Sequence, residues 1–227
     1  MSPQPSKPGC ACGAADSSRW EVIGIVAAMS QPIHQRSYDC EAFDEGEGRM
    51  RVRGHLTDTK PLGLGRADGE PLVIHEMTID LFVAVPEFKI VGVEADMQVH
   101  PYAQCTHVLD DYTQLVGLSI TRGYSRRVKD LFGGPNGCSH LGALLTAMGP
   151  VAIQASWSLA NLDAEPHEMV ALTTDPTERA HRLKMNANTC HVWIEGGEHL
   201  RRVEQMETPL RPGWEIERLK KLGVDPG

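Results

Sequence analysis

Two short stretches of this 227-residue chain gather the side chains that acid–base and thiol chemistry require. The first is His55-Leu56-Thr57-Asp58-Thr59-Lys60-Pro61, followed by His75; the second is Gly137-Cys138-Ser139-His140. His75 stands two residues from Val73 and from Met77 in an alternating apolar run, which predicts a buried-side ring. Two readings stand for it: a core histidine with satisfied hydrogen bonds, or a general base, because imidazole titrates near neutral pH and burial tunes it further. Asp58 continues the Met50/Val52/Leu56 face, so its carboxylate is expected at the edge of the core. Arg36 lies on the strand expected to face it. The two read as an ion pair pinning a hairpin, or, with Lys60, as a site where cations hold an anionic substrate or a developing oxyanion.

Cys138 and His140 open the longest apolar helix expected in the chain. The unpaired N–H groups and positive dipole end of a helix start favour anions and activate a nearby thiol. Gly137 allows close backbone approach there. The plainer reading is a small residue at a helix start beside a partly exposed histidine. Cys105 and Cys190 read first as lone core thiols. Together with Cys138 and His140 they also make a donor set for zinc or an iron–sulfur cluster.

The elements that must position these residues follow from hydrophobic periodicity. Residues 34–43 and 49–58 flank Asp44-Glu45-Gly46-Glu47-Gly48, a polar two-glycine turn that predicts a hairpin. In the second strand Met50, Val52 and Leu56 alternate with Arg49, Arg51, Arg53 and His55, so one face is buried and the other solvated. After a Gly-rich loop over 62–71, a second hairpin places Val73, His75, Met77, Ile79, Leu81 and Val83 on one face. Val91, Val93, Ala95, Met97 and Val99 share a face of the returning strand, with Pro86-Glu87 at the turn. Beyond His100 the period becomes helical, over 103–117, 123–132 and 138–160, and Gly149-Pro150 predicts a kink in the last. His191-Val192-Trp193-Ile194 reads as a further strand, and 213–222 as a terminal helix. Strands first and helices afterwards mean an α+β fold: an antiparallel sheet of two hairpins, about four to five strands, packed against C-terminal helices.

Bulk composition bounds the function. With 41% hydrophobic and 23% charged residues, the chain has the make-up of an ordinary globular domain. A formal net charge of −8 and no run of Lys/Arg longer than two residues argue against a nucleic-acid surface. Six scattered cysteines point to free thiols in a reducing compartment, so the expected location is the cytoplasm. Residues 1–30, rich in Pro, Ser, Gly and Ala, read as a disordered extension carrying an incidental Cys10-Ala11-Cys12 pair, and Met29 offers an alternative start. The apolar run at 22–28 is far too short to span a bilayer, which takes about 20 residues. The expected organisation is thus a domain over 31–207 followed by a charged tail over 208–227. No dinucleotide fingerprint, phosphate-binding loop, H-E-x-x-H or paired C-x-x-C is present.

His34-Gln35-Arg36, Leu56-Thr57-Asp58-Thr59-Lys60-Pro61, Gly69-Glu70-Pro71, His75-Glu76-Met77, Gly133-Gly134, Gly137-Cys138-Ser139-His140-Leu141 and Thr189-Cys190-His191 together resemble a bacterial family catalogued as a domain of unknown function, DUF2889. The similarity runs from about residue 33 to 205; the loop after Lys60 is shorter than the family pattern. The resemblance implies a cofactor-free lyase acting on lignin-derived phenolic dimers, with a small aromatic substrate and formaldehyde expelled from a side chain. On that reading His75 and His140 form the acid/base pair, Lys60 and Arg36 stabilise negative charge, and Asp58 orients one of them. Two alternatives stand beside it. The order of sheet, Cys105, then Cys138/His140 resembles iron–sulfur scaffold proteins of the NifU type, which makes Cys105, Cys138, His140 and Cys190 the ligands. The other is a non-catalytic small-molecule-binding protein using the same residues. A homodimer is expected from general frequency alone.

Overall fold

A computed structural model describes residues 32–63, 69–85, 87–121, 123–159, 162, 183, 186–205 and 213–223. The expected extension over 1–30, with Cys10 and Cys12, lies outside them, as do Pro86 and residues 64–68 of the Gly-rich loop. The chain groups into two compact units divided after Ser156.

The first unit is built on a four-stranded antiparallel sheet in the order β1-β2-β3-β4. Its strands are β1 (Gln35–Gly46), β2 (Arg49–Lys60), β3 (Leu72–Ala84) and β4 (Lys89–Val99). The fold is therefore α+β, with four strands among the described residues. At the first turn Gly46, Glu47 and Gly48 all have positive φ (71°, 53° and 70°), which two glycines make inexpensive. On β2 the alternation is complete: Met50, Val52, Gly54, Leu56 and Asp58 are all buried. Met77, Ile79, Leu81 and Val83 of β3 and Ile90 and Met97 of β4 extend that buried face.

Three irregularities in the β2–β3 and β3–β4 pairings displace residues from the face that strict alternation assigns them; in one, Glu76 pairs with Val99 but Met77 with Met97, so Gln98 is extra. Asp58 pairs with His75 but Thr59 pairs with Val73, so Ile74 is an extra residue and Val73 turns outward to 38% exposure. Likewise Phe82 pairs with Gly92 and Val83 with Ile90, so Val91 is extra and exposed while Ile90 takes the buried place.

After β4 the chain forms two 3₁₀ helices, Ala103–Val108 and Asp110–Leu115, where a single α-helix over 103–117 was the expectation. They seat Tyr112 and Leu115 in the core. Residues 117–120 then run beside β4, through Ile90 N–H to the Leu118 carbonyl and Ile120 N–H to the Phe88 carbonyl. Helix α1 (Tyr124–Phe132) is followed by a 3₁₀ turn (Gly134–Asn136) and helix α2 (Ser139–Leu159). Helix α2 buries Leu141, Leu144, Leu145, Met148 and Ala152. It lies close over β2: a Cβ on Gly54 would stand 2.6 Å from Met148 Sδ and 3.0 Å from Leu144 Cδ1. The missing side chain at Gly54 therefore sets how near the helix start comes to the sheet.

In the second unit, residues 191–194 form turns, with Trp193 N–H bonded back to the Cys190 carbonyl, so the strand expected there is absent. Helices α3 (Glu198–Glu204) and α4 (Gly213–Lys221) complete the described elements. Among the described residues no helix is long and apolar enough to cross a membrane.

Candidate acid–base site

Asp58 is the centre of the site. It ends the buried face of β2, and the register puts Arg36 of β1 opposite it on one side and His75 of β3 on the other. Only 1% of the residue is exposed, so its charge needs partners within the protein. Arg36 supplies a two-pronged contact: its Nε donates to Oδ1 and its Nη2 to Oδ2, each at 2.6 Å. His75 Nδ1 lies 3.0 Å from Oδ2. His140 Nε2 lies 3.4 Å from the same oxygen, and His34 Nε2 lies 3.5 Å from Oδ1. The Arg36 guanidinium, followed by the His75 hydrogen bond, holds the Asp58 carboxyl at about 2, below its ordinary 3.8, against the opposing effect of burial. The carboxylate in turn raises Arg36.

His140 reaches the sheet from the first turn of α2. Three contacts hold that turn in place. The Cys138 N–H donates to the Tyr112 hydroxyl at 3.0 Å, and that hydroxyl donates back to the Cys138 carbonyl at 3.4 Å. The Tyr112 ring stacks on Phe132 with centroids 4.5 Å apart. Gly137 passes so close to Phe132 that a Cβ there would lie 2.7 Å from the Phe132 Cβ. Burial raises the Tyr112 hydroxyl to about 12, so it stays protonated in this role.

The two histidine rings pack with centroids 3.9 Å apart and planes inclined by 35°. His140 is lowered from 6.5, first by burial, then by the proximity of His75 and Arg36, which together outweigh the attraction of Asp58. A carboxylate only accepts hydrogen bonds, so a neutral His75 ring must carry its proton on the nitrogen that faces Asp58. That assigns N–H to His75 Nδ1 and leaves His75 Nε2 as a bare base, with no hydrogen-bond partner among the described residues. No hydrogen bond joins His140 to Asp58, but the carboxylate charge 3.4 Å from His140 Nε2 favours the proton there, and Nδ1 lies 3.6 Å from Cys138 Sγ.

Four of the five expected site residues thus converge: Arg36, Asp58, His75 and His140. Lys60 does not join them; half-buried at the end of β2 opposite Leu72, it makes no hydrogen bond or ion pair with any of the four. The expected metal set also fails to assemble. Among the described residues of the first unit no group of three donors within metal-sharing distance includes Cys105 or Cys138; Cys138 Sγ faces Met77 Sδ at 4.0 Å and His140. The group that does come together is Asp58, His75 and His140, with ligand atoms within 4.8 Å of one another. Arg36 donates to both oxygens of the carboxylate in this group. Periodicity had no means of finding His34, Tyr112 or Gly54, whose roles depend on what the helix start meets.

Residues 34–154, more than half of the chain, match the family model described as "Protein of unknown function (DUF2889)". No curated protein and no solved structure matches.

Proposed function

We propose that this chain, which belongs to the DUF2889 family, is a cofactor-independent carbon–carbon lyase that acts on lignin-derived phenolic dimers and releases formaldehyde from a side chain. One observation carries the acid–base part of this reading. A single buried carboxylate holds two adjacent imidazoles and leaves the bare Nε2 of His75 without a partner among the described residues. The substrate class comes from the family resemblance and is the more specific half of the proposal.

In this scheme His75 Nε2 takes the proton of a primary alcohol on the substrate side chain. The oxygen's electron pair becomes the carbonyl of formaldehyde as the carbon–carbon bond breaks, the released pair forms a carbon–carbon double bond to the neighbouring benzylic carbon, and the bond from that carbon to the aryl oxygen breaks. The His75 imidazolium so formed sits against Asp58, which stabilises it without taking its proton. The proton is then returned to the departing aryl oxygen. His140, kept neutral by burial, holds its place on Asp58 as the second member of the pair. Arg36, whose side chain is one-third exposed, supplies positive charge for a phenolate. The free thiols Cys40, Cys105, Cys138 and Cys190 agree with a cytoplasmic place of action, and a homodimer is part of the same proposal.

The test is formaldehyde release from phenylcoumaran-type and diarylpropane-type dimers by metal-stripped protein. Turnover is expected in the wild type, and a loss of about 100-fold or more in His75→Gln, the usual contribution of a positioned general base. No turnover across a broad panel of phenolic dimers would overturn the reaction class. Full activity in His75→Gln would overturn the residue assignment.

A further inference from the structure

The geometry points to Cys138 as a nucleophilic thiol served by His140 and Asp58, giving the chain a thiol-dependent acyl-ester hydrolase activity beyond the proton transfer assigned to His75. Cys138 Sγ lies 3.6 Å from His140 Nδ1, and His140 Nε2 lies 3.4 Å from Asp58 Oδ2. The Asp58 charge beside Nε2 favours the ring proton there, and Nδ1 is the ring nitrogen that faces the sulfur. Nucleophile, base and orienting carboxylate therefore stand in the order that covalent catalysis needs.

The local backbone supports the role. The Cys138 carbonyl accepts from Gly142 N–H at 2.9 Å, which makes Cys138 the residue that caps α2. Its own N–H is taken by Tyr112. The N–H groups of Ser139, His140 and Leu141 have no acceptor one turn earlier in the helix and point towards its start, where an oxyanion beside the sulfur would receive them. The remaining neighbour of the sulfur, Met77 Sδ at 4.0 Å, is only a weak acceptor and does not compete with the imidazole.

The reaction balances with water as the sole co-reactant. The thiol proton passes to His140 Nδ1 as the sulfur's electron pair forms a bond to the ester carbonyl carbon. The carbon–oxygen bond to the leaving alcohol or phenol then breaks, and that oxygen takes the proton from Nδ1. Water next attacks the thioester, giving its proton to Nδ1. The carbon–sulfur bond breaks, the acid departs, and the thiol regains its proton.

The test is alkylation of the intact chain with substoichiometric iodoacetamide between pH 6 and 9, each cysteine being read by peptide mass spectrometry. Cys190, which is exposed, serves as the internal reference. Cys138 is expected to react about ten-fold faster than Cys190 at pH 7, and to fall to the reference rate in His140→Gln. Asp58→Asn provides a second reading, with a partial loss expected. A 4-nitrophenyl ester should leave an acyl group on Cys138 in a burst that Cys138→Ser abolishes. A Cys138 rate no higher than that of Cys190, or one unchanged in a folded His140→Gln variant, would overturn the inference. Alkylation requires no lyase substrate, so failure here is distinguishable from failure of formaldehyde release.

Discussion

Replacing Asp58 by Asn keeps the volume and removes the charge on which four side chains converge. Lowering a carboxyl from 3.8 to about 2 corresponds to about 2 kcal/mol of folded-state stabilisation at neutral pH. Arg36 is left behind with a side chain that is 33% exposed, so it rehydrates in part and the loss stays below the ~3–5 kcal/mol of a fully buried broken pair. Asp58→Asn is therefore expected to cost about 2–3 kcal/mol, a drop of about 1–2 M in urea midpoint. The sign with pH follows from the direction of the shift. A carboxyl lowered in the folded state stabilises fully above its ordinary value and loses that contribution as pH falls towards 2. The gap between wild type and variant should therefore shrink by about 1 kcal/mol between pH 7 and pH 3. The unit to be followed is the one that ends at Ser156. Far-UV circular dichroism, with hydrogen exchange at the β2 amides, reads the right one. The double variant Arg36→Gln/Asp58→Asn should cost less than the sum of its parts. A gap below about 0.5 kcal/mol at pH 7, or one that does not change with pH, would refute the central role of Asp58 in the fold.

Three further outcomes follow from the same geometry. Gly54→Val should destabilise by about 1–3 kcal/mol, measured by urea unfolding, because its Cβ meets Met148 Sδ at 2.6 Å; Met148→Ala in the same chain should restore part of the loss. Tyr112→Phe leaves the Cys138 N–H without its partner and should cost about 1–2 kcal/mol in thermal or urea unfolding. The His140 ring, followed by ¹H–¹⁵N NMR, should titrate below 6.5, since burial holds it neutral; a midpoint at or above 6.5 would contradict its placement.

The sheet was readable in the sequence because β2 alternates without interruption from Met50 to Asp58 and the glycines at 46 and 48 mark its turn. The same arithmetic brings Arg36 opposite Asp58. Alternation failed where one extra residue enters a strand. Ile74 and Val91 each reverse the faces beyond them, and nothing in their residue types signals it, since both suit a regular strand. The 103–117 segment carries apolar residues at spacings that fit α and 3₁₀ turns alike, so the choice fell to packing around Tyr112 and Leu115. Arg36, Asp58, His75 and His140 were each identifiable as chemical side chains on predicted faces. Their convergence was not, because the contact between His75 and His140 depends on how closely α2 approaches Gly54. Lys60 shares the parity of Asp58 yet lies beyond the Ile74 bulge, outside the cluster.

The most direct test of the site is the protonation pattern of its two imidazoles, read by long-range ¹H–¹⁵N correlation on histidine-labelled protein near pH 7.5. The geometry around Asp58 predicts opposite neutral tautomers in adjacent rings: His75 with its proton on Nδ1 and a bare Nε2, His140 with its proton on Nε2 and a bare Nδ1. In Asp58→Asn both patterns should lose their definition. Two rings in the same tautomer, or a pattern unchanged in that variant, would contradict the claim that one buried carboxylate presents His75 as the base.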